Sequence, residues 1–525
     1  MSELFRRKSL SKLLADAATG EGGLKKTLGT WSLVALGIGA IIGAGLFVRT
    51  AAAAADNAGS GVTMSFVVAA VGCAFAGLCY AEFAAMIPIA GSAYTYAYTT
   101  MGELVAWIIG WSLIMEYALG AATVSIAWSE YLNNLLGGKI PYEWCHSPFE
   151  HAYKVIGDAI TQFPEELTKT AKNGILILSD EQFSGLSEAL KNQVTTYSGF
   201  VNLPALGILL VLSLLLIKGT KESAFVNGII VFVKLAIVLI FIAIGWKFIN
   251  PENHTPYLIP EGTPGHDGFF TWGYGGILGG AAVVFFAFIG FDAVSTAAQE
   301  AKNPKRDMPI GILGSLVVCT ILYVLFSYVL TGVAHWSEFG AAGKEASVSY
   351  AIQKYMIGYE WLGTSVTIAI LAGFSSVILV MLMGQSRVFY SMSIDGLLPK
   401  VFSDLHPKFQ TPYKSNLILF LFVGIFAGFI PGSVAGDLTS FGTLFAFVIV
   451  CLGILIMRKR SPEIPRPFKT PLVPLVPILG MLVCAFMIIA LDLFTLASAG
   501  VWMIFGLIIY FIYSQRNSIL HKTKE

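Results

Sequence analysis

Four ionisable residues, Glu82, Glu116, Lys234 and Asp292, stand in or beside stretches whose neighbours are otherwise almost all apolar. Charge in such surroundings marks an ion or proton route by default, because burying it uncompensated is costly. Lys234 is the sharpest case: it sits mid-way along Val226–Trp246, with no acid near it in sequence. A charged lysine there costs about 2.5–3.5 kcal/mol on insertion scales. It must therefore find carbonyls, find an acid or give up its proton, and it reads either as a proton-coupling group or as a fixed structural cation. Glu116, within Met115-Glu116-Tyr117, is either a second protonatable or water-organising group or a packing carboxyl. Asp292 and Glu82 read as structural first, Glu82 lying close enough to a helix end to snorkel. No histidine of the seven falls at mid-span, and no H-E-x-x-H, P-loop or Cys/His cluster is present, so no metal or cofactor is expected.

A second kind of chemistry is available to the backbone. Glycine recurs at Gly37, Gly39, Gly43 and Gly45, and again at Gly279, Gly280 and Gly290, inside stretches that should be regular helix. Each glycine costs a helix interior about 0.5–1 kcal/mol relative to alanine. The two clusters lie five helices apart, the pattern of paired interrupted helices in an inverted-repeat carrier, with helices 1–5 and 6–10 as the repeats. Close helix packing over small residues explains the same glycines equally simply.

The elements that must position these groups are membrane helices. Hydrophobic residues make up 56% of 525 positions and charged residues 12%, too few charges for a water-facing surface. Uncharged runs such as Asn57–Ala81, Trp361–Ser386 and Leu493–Ser514 reach the roughly 20 residues that cross about 30 Å of hydrocarbon. Twelve helices are predicted, near 31–52, 61–87, 103–134, 199–217, 226–248, 277–298, 310–333, 361–392, 415–430, 437–457, 471–491 and 493–514. With both termini inside, 23 Lys/Arg fall on the inner side and 9 on the outer, Arg49 among the outer ones. That asymmetry predicts cytoplasmic termini in a multi-pass cell-membrane protein.

The domains expected are a basic cytoplasmic segment at 1–30, a first repeat at 31–248, a second at 277–457, two further helices at 471–514 and a cytoplasmic tail at 515–525. Met1–Lys26 lacks an apolar core and does not read as a cleaved signal peptide; an amphipathic helix on the inner membrane surface fits it. The stretch 137–197 is an external insert, either folded or loose, with a short amphipathic helix expected within Glu181–Val194. Five of six cysteines fall in predicted helices and Cys145 stands alone in the insert, so no disulfide framework is implied. A net charge of +1 gives no reason to expect nucleic acid. Nothing in the sequence identifies a small membrane partner or an oligomeric state.

Gly37-Ile38-Gly39-Ala40-Ile41-Ile42-Gly43-Ala44-Gly45-Leu46-Phe47 resembles the first helix of the amino acid–polyamine–organocation superfamily. Pro88–Tyr96 resembles its stretch after helix 2, Phe288–Asp292 and Glu300–Pro309 its broken helix 6 and following loop, and Asp395–Pro399 its loop after helix 8. The start Gly22–Gly29 is most similar to bacterial relatives of the cationic amino acid transporters. The resemblance covers nearly everything but 137–197 and implies an all-α, LeuT-type 5+5 inverted repeat with two further helices and helices 1 and 6 unwound at mid-membrane.

It also implies a site for a zwitterion. The N–H groups of Gly43, Ala44 and Gly45, at the start of a half-helix, suit a carboxylate. By resemblance the carbonyls of Ile41, Phe286, Ala287 and Ile289 accept from an α-ammonium, Phe286 covers the site, and Met381 faces the side-chain pocket. Ala44 departs from relatives with a hydroxyl there, and Met381 from cationic-selective relatives with a smaller residue. By the same resemblance the Lys234 ammonium takes the place of a sodium ion, near the carbonyls of Gly39 and Ile42 and the hydroxyls of Ser375 and Ser376. The expectation is a proton-coupled symporter favouring neutral over cationic L-amino acids; an exchanger or cationic permease is the alternative. An integral membrane enzyme would need convergent catalytic groups, and a channel equivalent polar rings; the chain offers neither.

Overall fold

The computed structural model describes residues 5–9, 26–43, 45–163, 175–178, 183, 186–341, 347–489, 491 and 493–522. Each predicted span overlaps a helix: α1 (Thr30–Ile41), α2 (Val62–Met86), α3 (Glu103–Leu135), α4 (Leu203–Lys218), α5 (Thr220–Gly245), α6 (Gly273–Phe285), α7 (Pro304–Val333), α8 (Trp361–Ile394), α9 (Tyr413–Phe429), α10 (Gly432–Arg460), α11 (Leu475–Ile489) and α12 (Leu493–Ile509). Among the described residues eight helical stretches are long and apolar enough to cross a membrane, while α1, α4, α9 and α11 are apolar but shorter. Several helices start earlier than hydropathy suggests, because polar first turns carry no apolar signal. In α7, for example, Pro304 occupies the first turn, where a missing N–H costs nothing.

Burial separates core from rim. Helix α3 is enclosed by α8 and α10, and α7 packs against α1 and α2. Small residues permit the approach: a side chain at Gly442 of α10 would press on Cβ of Glu116 at 3.0 Å. By contrast Phe232 of α5, Val501 of α12 and Leu493 are 74%, 68% and 82% exposed, an apolar rim suited to lipid. Helix α12 is tied to α3 through indoles: Trp107 Nε1 donates to the Gly506 carbonyl and Trp111 Nε1 to that of Trp502, both at 2.8 Å.

The insert is folded where described. Strands β1 (His151–Ile156), β2 (Ile175–Leu178) and β3 (Thr195–Ser198) form an antiparallel sheet in the order β2-β1-β3. Val155, Phe163, Leu176 and Leu178 give it a small core of its own. Of the stretch Glu181–Val194 expected to hold a short helix, Phe183 and the four residues Glu188–Lys191 are helical among the described residues, and part of the stretch lies outside them. Cys145 is buried and free.

Glu82 corrects its expectation. Instead of snorkelling it is buried, because the 461–470 stretch folds back over the end of α2. Its carboxylate accepts from Arg458 at 2.7 and 3.1 Å and from the Thr470 N–H at 2.7 Å, with Arg466 Nε at 3.2 Å. The amphipathic helix expected in Met1–Lys26 falls largely outside the described residues. Phe5–Ser9 lies against the helix ends, with Lys8 Nζ on Asp395 at 2.5 Å and the Arg6 carbonyl accepting from the Glu103 N–H at 3.0 Å.

Candidate functional site

The two glycine-rich helices are interrupted, and the interruptions face each other. Helix α1 stops at Ile41; Ile42 takes an extended conformation (φ −77°, ψ 101°), and helix resumes as a π-type turn over Gly45–Arg49, continuing to Ala58. Helix α6 tightens into a 3-10 turn at Phe286–Phe288, Ile289 is extended, Gly290 takes φ +113°, and a short helix restarts at Ala293–Thr296. A side chain at Gly45 would overlap the Ala287 backbone, and one at Gly290 would meet Ala40 at 2.9 Å. Both close packing and interruption are therefore in use at these glycines. Ala44 lies outside the described residues.

Breaking a helix frees carbonyls. The Gly39 carbonyl would accept from the N–H of residue 43 in a continuous helix, and that of Ile42 from residue 46. Lys234 collects both instead. Its Nζ donates to the carbonyls of Ile38, Gly39 and Ile42 at 3.1, 3.0 and 2.9 Å, with the side chain 0% exposed. The hydroxyls of Ser375 and Ser376, expected beside the ammonium, are engaged elsewhere. Ser375 donates to the Leu371 carbonyl at 2.8 Å, within its own helix, and Ser376 to Asn227 Oδ1 at 2.5 Å.

Asn227 was not singled out in the sequence. It lies seven residues before Lys234, so both fall on one face of α5, and its Nδ2 donates to the Ala35 carbonyl at 3.2 Å. Two turns of α5 thus grip α1 with two polar side chains. The signal was present: an amide in a long apolar run, two helical turns from the lysine.

Tyr323 of α7 joins the two breaks. Its hydroxyl lies 2.9 Å from the carbonyls of both Ile41 and Ala287, two of the expected acceptors. A hydroxyl carries one hydrogen, so one carbonyl always keeps its accepting capacity. Phe286 is half-buried, and the Arg49 guanidinium lies over its ring at 5.4 Å. Ile289 is buried, and Gly43 faces Val377 of α8. Met381 is buried too, its sulfur 3.8 Å from where a side chain at Gly120 of α3 would begin.

Glu116 is fully buried one turn before Gly120, with Asp292 and the Thr443 hydroxyl as its polar neighbours. The Tyr117 hydroxyl donates to Asp292 Oδ2 at 2.8 Å, so α3 holds the restart of the sixth span as α5 holds the break of the first. Among the described residues, no group of three or more His, Cys, Asp or Glu is placed to hold a metal ion.

The family described as "Amino acid permease" matches residues 28–513, from the strand-like entry into α1 to the end of the last span. The chain belongs to the amino acid permease family. It is 41% identical to the branched-chain amino acid permease BcaP of Bacillus subtilis (strain 168) over 519 residues, 99% of each chain. It is 35% identical to the methylthioribose transporter of the same organism, over 99% of this chain and 100% of that one. It is 32% identical to cationic amino acid transporter 4 of Homo sapiens, over 88% of this chain and 64% of the relative. This permease is thus a multi-pass membrane transporter of the amino acid–polyamine–organocation superfamily, related to the cationic amino acid transporters, and not an enzyme.

Proposed function

We propose that this permease is a proton-coupled symporter of neutral L-amino acids that works by alternating access. In this reading α1–α5 and α6–α10 are inverted five-helix repeats, twelve spans cross the cell membrane, and both termini are cytoplasmic. The observation that carries it is the fully buried Lys234 ammonium on three carbonyls at the break of the first span. A cation built into the protein holds those carbonyls without a bound sodium ion, and a lysine can release its charge as a proton.

The substrate carboxylate goes to the N–H groups of Gly43, Ala44 and Gly45, and the α-ammonium to the carbonyls of Ile41, Phe286, Ala287 and Ile289. Phe286 covers it, the side chain points toward Met381, and Gly39, Ile42, Ser375 and Ser376 line the coupling region. Of these, Ser376 acts through Asn227. Glu116 beside Asp292 organises water or a second proton. Neutral preference follows from Met381, an apolar wall where a cationic side chain would need an acid. The similarity to a branched-chain amino acid permease favours the same substrates.

A second substrate reading has one specific support, the full-length similarity to a methylthioribose transporter, whose thioether would suit the same apolar wall. The test is displacement of labelled alanine from purified protein in liposomes by valine, leucine, arginine, lysine and methylthioribose. Arginine acting at equal or lower concentration than valine would end the neutral reading. Methylthioribose acting at far lower concentration than any amino acid would reassign the substrate. Counterflow without a gradient, in place of proton-driven accumulation, would make the protein an exchanger.

A further inference from the structure

We propose that Arg49 is a charge filter at the mouth of the site: its guanidinium, resting on Phe286, draws carboxylates in and turns cationic side chains away. This rests on the amino acid reading above and adds a residue to it.

Arg49 closes the Gly45–Arg49 turn that follows the break in the first span. It lies four residues beyond Gly45, about one turn along the same helical stretch. Its described neighbours Leu46, Phe47, Thr50 and Ala51 are buried, while Arg49 itself is exposed. The guanidinium stands over the ring of Phe286, the residue just before Ala287, against whose backbone Gly45 is packed. Among the described residues no carboxylate pairs with it. An arginine head that is neither paired nor buried ordinarily samples many rotamers; here an aromatic face gives it a resting place. A permanent positive charge is thereby parked over the ring that covers the break, on the side that the Lys/Arg distribution assigns to the outside.

The consequence is electrostatic. A fixed charge acts on ligands within about 8–10 Å at physiological ionic strength. Every amino acid presents a carboxylate, which Arg49 attracts and orients toward the Gly43–Gly45 amides. Only lysine and arginine add a second positive charge, and they alone are disfavoured. Charge at a cleft mouth acts on selection and rate of access, and it weakens with salt.

The experiment uses the full-length protein in liposomes as wild type, Arg49→Gln and Arg49→Lys. Displacement of labelled alanine is measured with lysine and with glutamine, which is neutral and of similar length. It is repeated at about 0.01 M and about 1 M ionic strength, where screening lengths are about 30 Å and 3 Å. At low salt the potency of lysine relative to glutamine should rise about 3–10-fold in Arg49→Gln, a size suited to one partly screened charge. It should stay near wild type in Arg49→Lys, and the difference should vanish at high salt. An unchanged ratio in Arg49→Gln at low salt, with alanine binding intact, overturns the filter and leaves the amino acid site standing. Loss of alanine binding in both variants makes Arg49 a structural strut and overturns it too. If no amino acid binds the wild type, the amino acid reading falls first and the filter with it.

Discussion

Replacing Lys234 by alanine separates coupling from folding. The ammonium now donates to three carbonyls. Ile38 keeps a second donor, the Ile42 N–H at 3.0 Å, so the substitution orphans two acceptors, Gly39 and Ile42. A buried acceptor left unsatisfied costs about 1–3 kcal/mol, or about 2–6 kcal/mol for the pair. Removing a charge from mid-span returns about 2.5–3.5 kcal/mol. The net destabilisation is therefore at most about 3.5 kcal/mol, and Lys234→Ala should insert, purify and bind. Transport should change much more. One proton carried with a neutral substrate across 100 mV is worth about 2.3 kcal/mol, which sets a ceiling of about 50-fold accumulation at 1.4 kcal/mol per decade. Wild-type liposomes under an inward proton-motive force of about 100 mV, with no sodium on either side, should approach that ceiling. Lys234→Ala should only equilibrate, while still exchanging labelled for unlabelled substrate. Accumulation by Lys234→Ala at the wild-type level, or a sodium requirement in the wild type, would refute the role given to this lysine.

Gly45→Val should abolish substrate binding, since even a Cβ at this position overlaps the Ala287 backbone; equilibrium binding at wild-type affinity would show that the break is not part of the site. Met381→Ser should admit longer cationic side chains, raising the potency of lysine and arginine against labelled alanine about tenfold, the size of one lost apolar contact in a pocket. Tyr323→Phe keeps the ring and removes the hydroxyl shared by Ile41 and Ala287, which should lower stability by about 1–2 kcal/mol, read as a lower thermal midpoint in detergent.

Helix placement was legible because lipid imposes long apolar runs, and each of the twelve predicted ranges falls on a helix. Less legible was anything fixed by a rotation about a helix axis. Ser375 and Ser376 are adjacent, yet a step of about 100° separates their faces: one donates within its own helix and the other reaches Asn227. Contacts distant in sequence were out of reach too. Tyr323 lies 282 residues from Ile41, and only the fold reveals that its hydroxyl meets both breaks. Arg387 shows the limit of charge counting. It is tallied with the inner loops, yet it is fully buried in α8 and paired to Glu300 at 2.8 Å. The strands of the insert were missed because its apolar residues are few and their partners lie about twenty or more residues away.

The ties around the breaks determine what release at Lys234 could move. Tyr323 reaches both breaks, Lys234 and Asn227 hold only the first, and Tyr117 reaches the sixth span through Asp292. At its other end α1 is bound to the loop after the sixth span and to α7. Leu28 pairs with Ala301, the Lys302 N–H donates to the Leu28 carbonyl at 2.8 Å, and Thr30 Oγ1 donates to Asp307 at 2.6 Å. Losing the Lys234 tie would thus loosen α1 from α5, leaving only Asn227 of the two polar side chains that grip it, while α1 stays fastened to α7 at both ends. In the proposed mechanism the motion that breaks the fewest of these hydrogen bonds carries α1 and α7 together away from α5, at the cost of the Phe241–Phe326 packing between α5 and α7, while the Asn227–Ala35 hydrogen bond still ties α5 to α1. A two-state element of this kind needs a differential interaction between its states, and in the proposed mechanism protonation of a single lysine would supply it. Under that mechanism the Asn227–Ser376 hydrogen bond between α5 and α8 persists in both states, whereas the Asn227–Ala35 bond is made in only one.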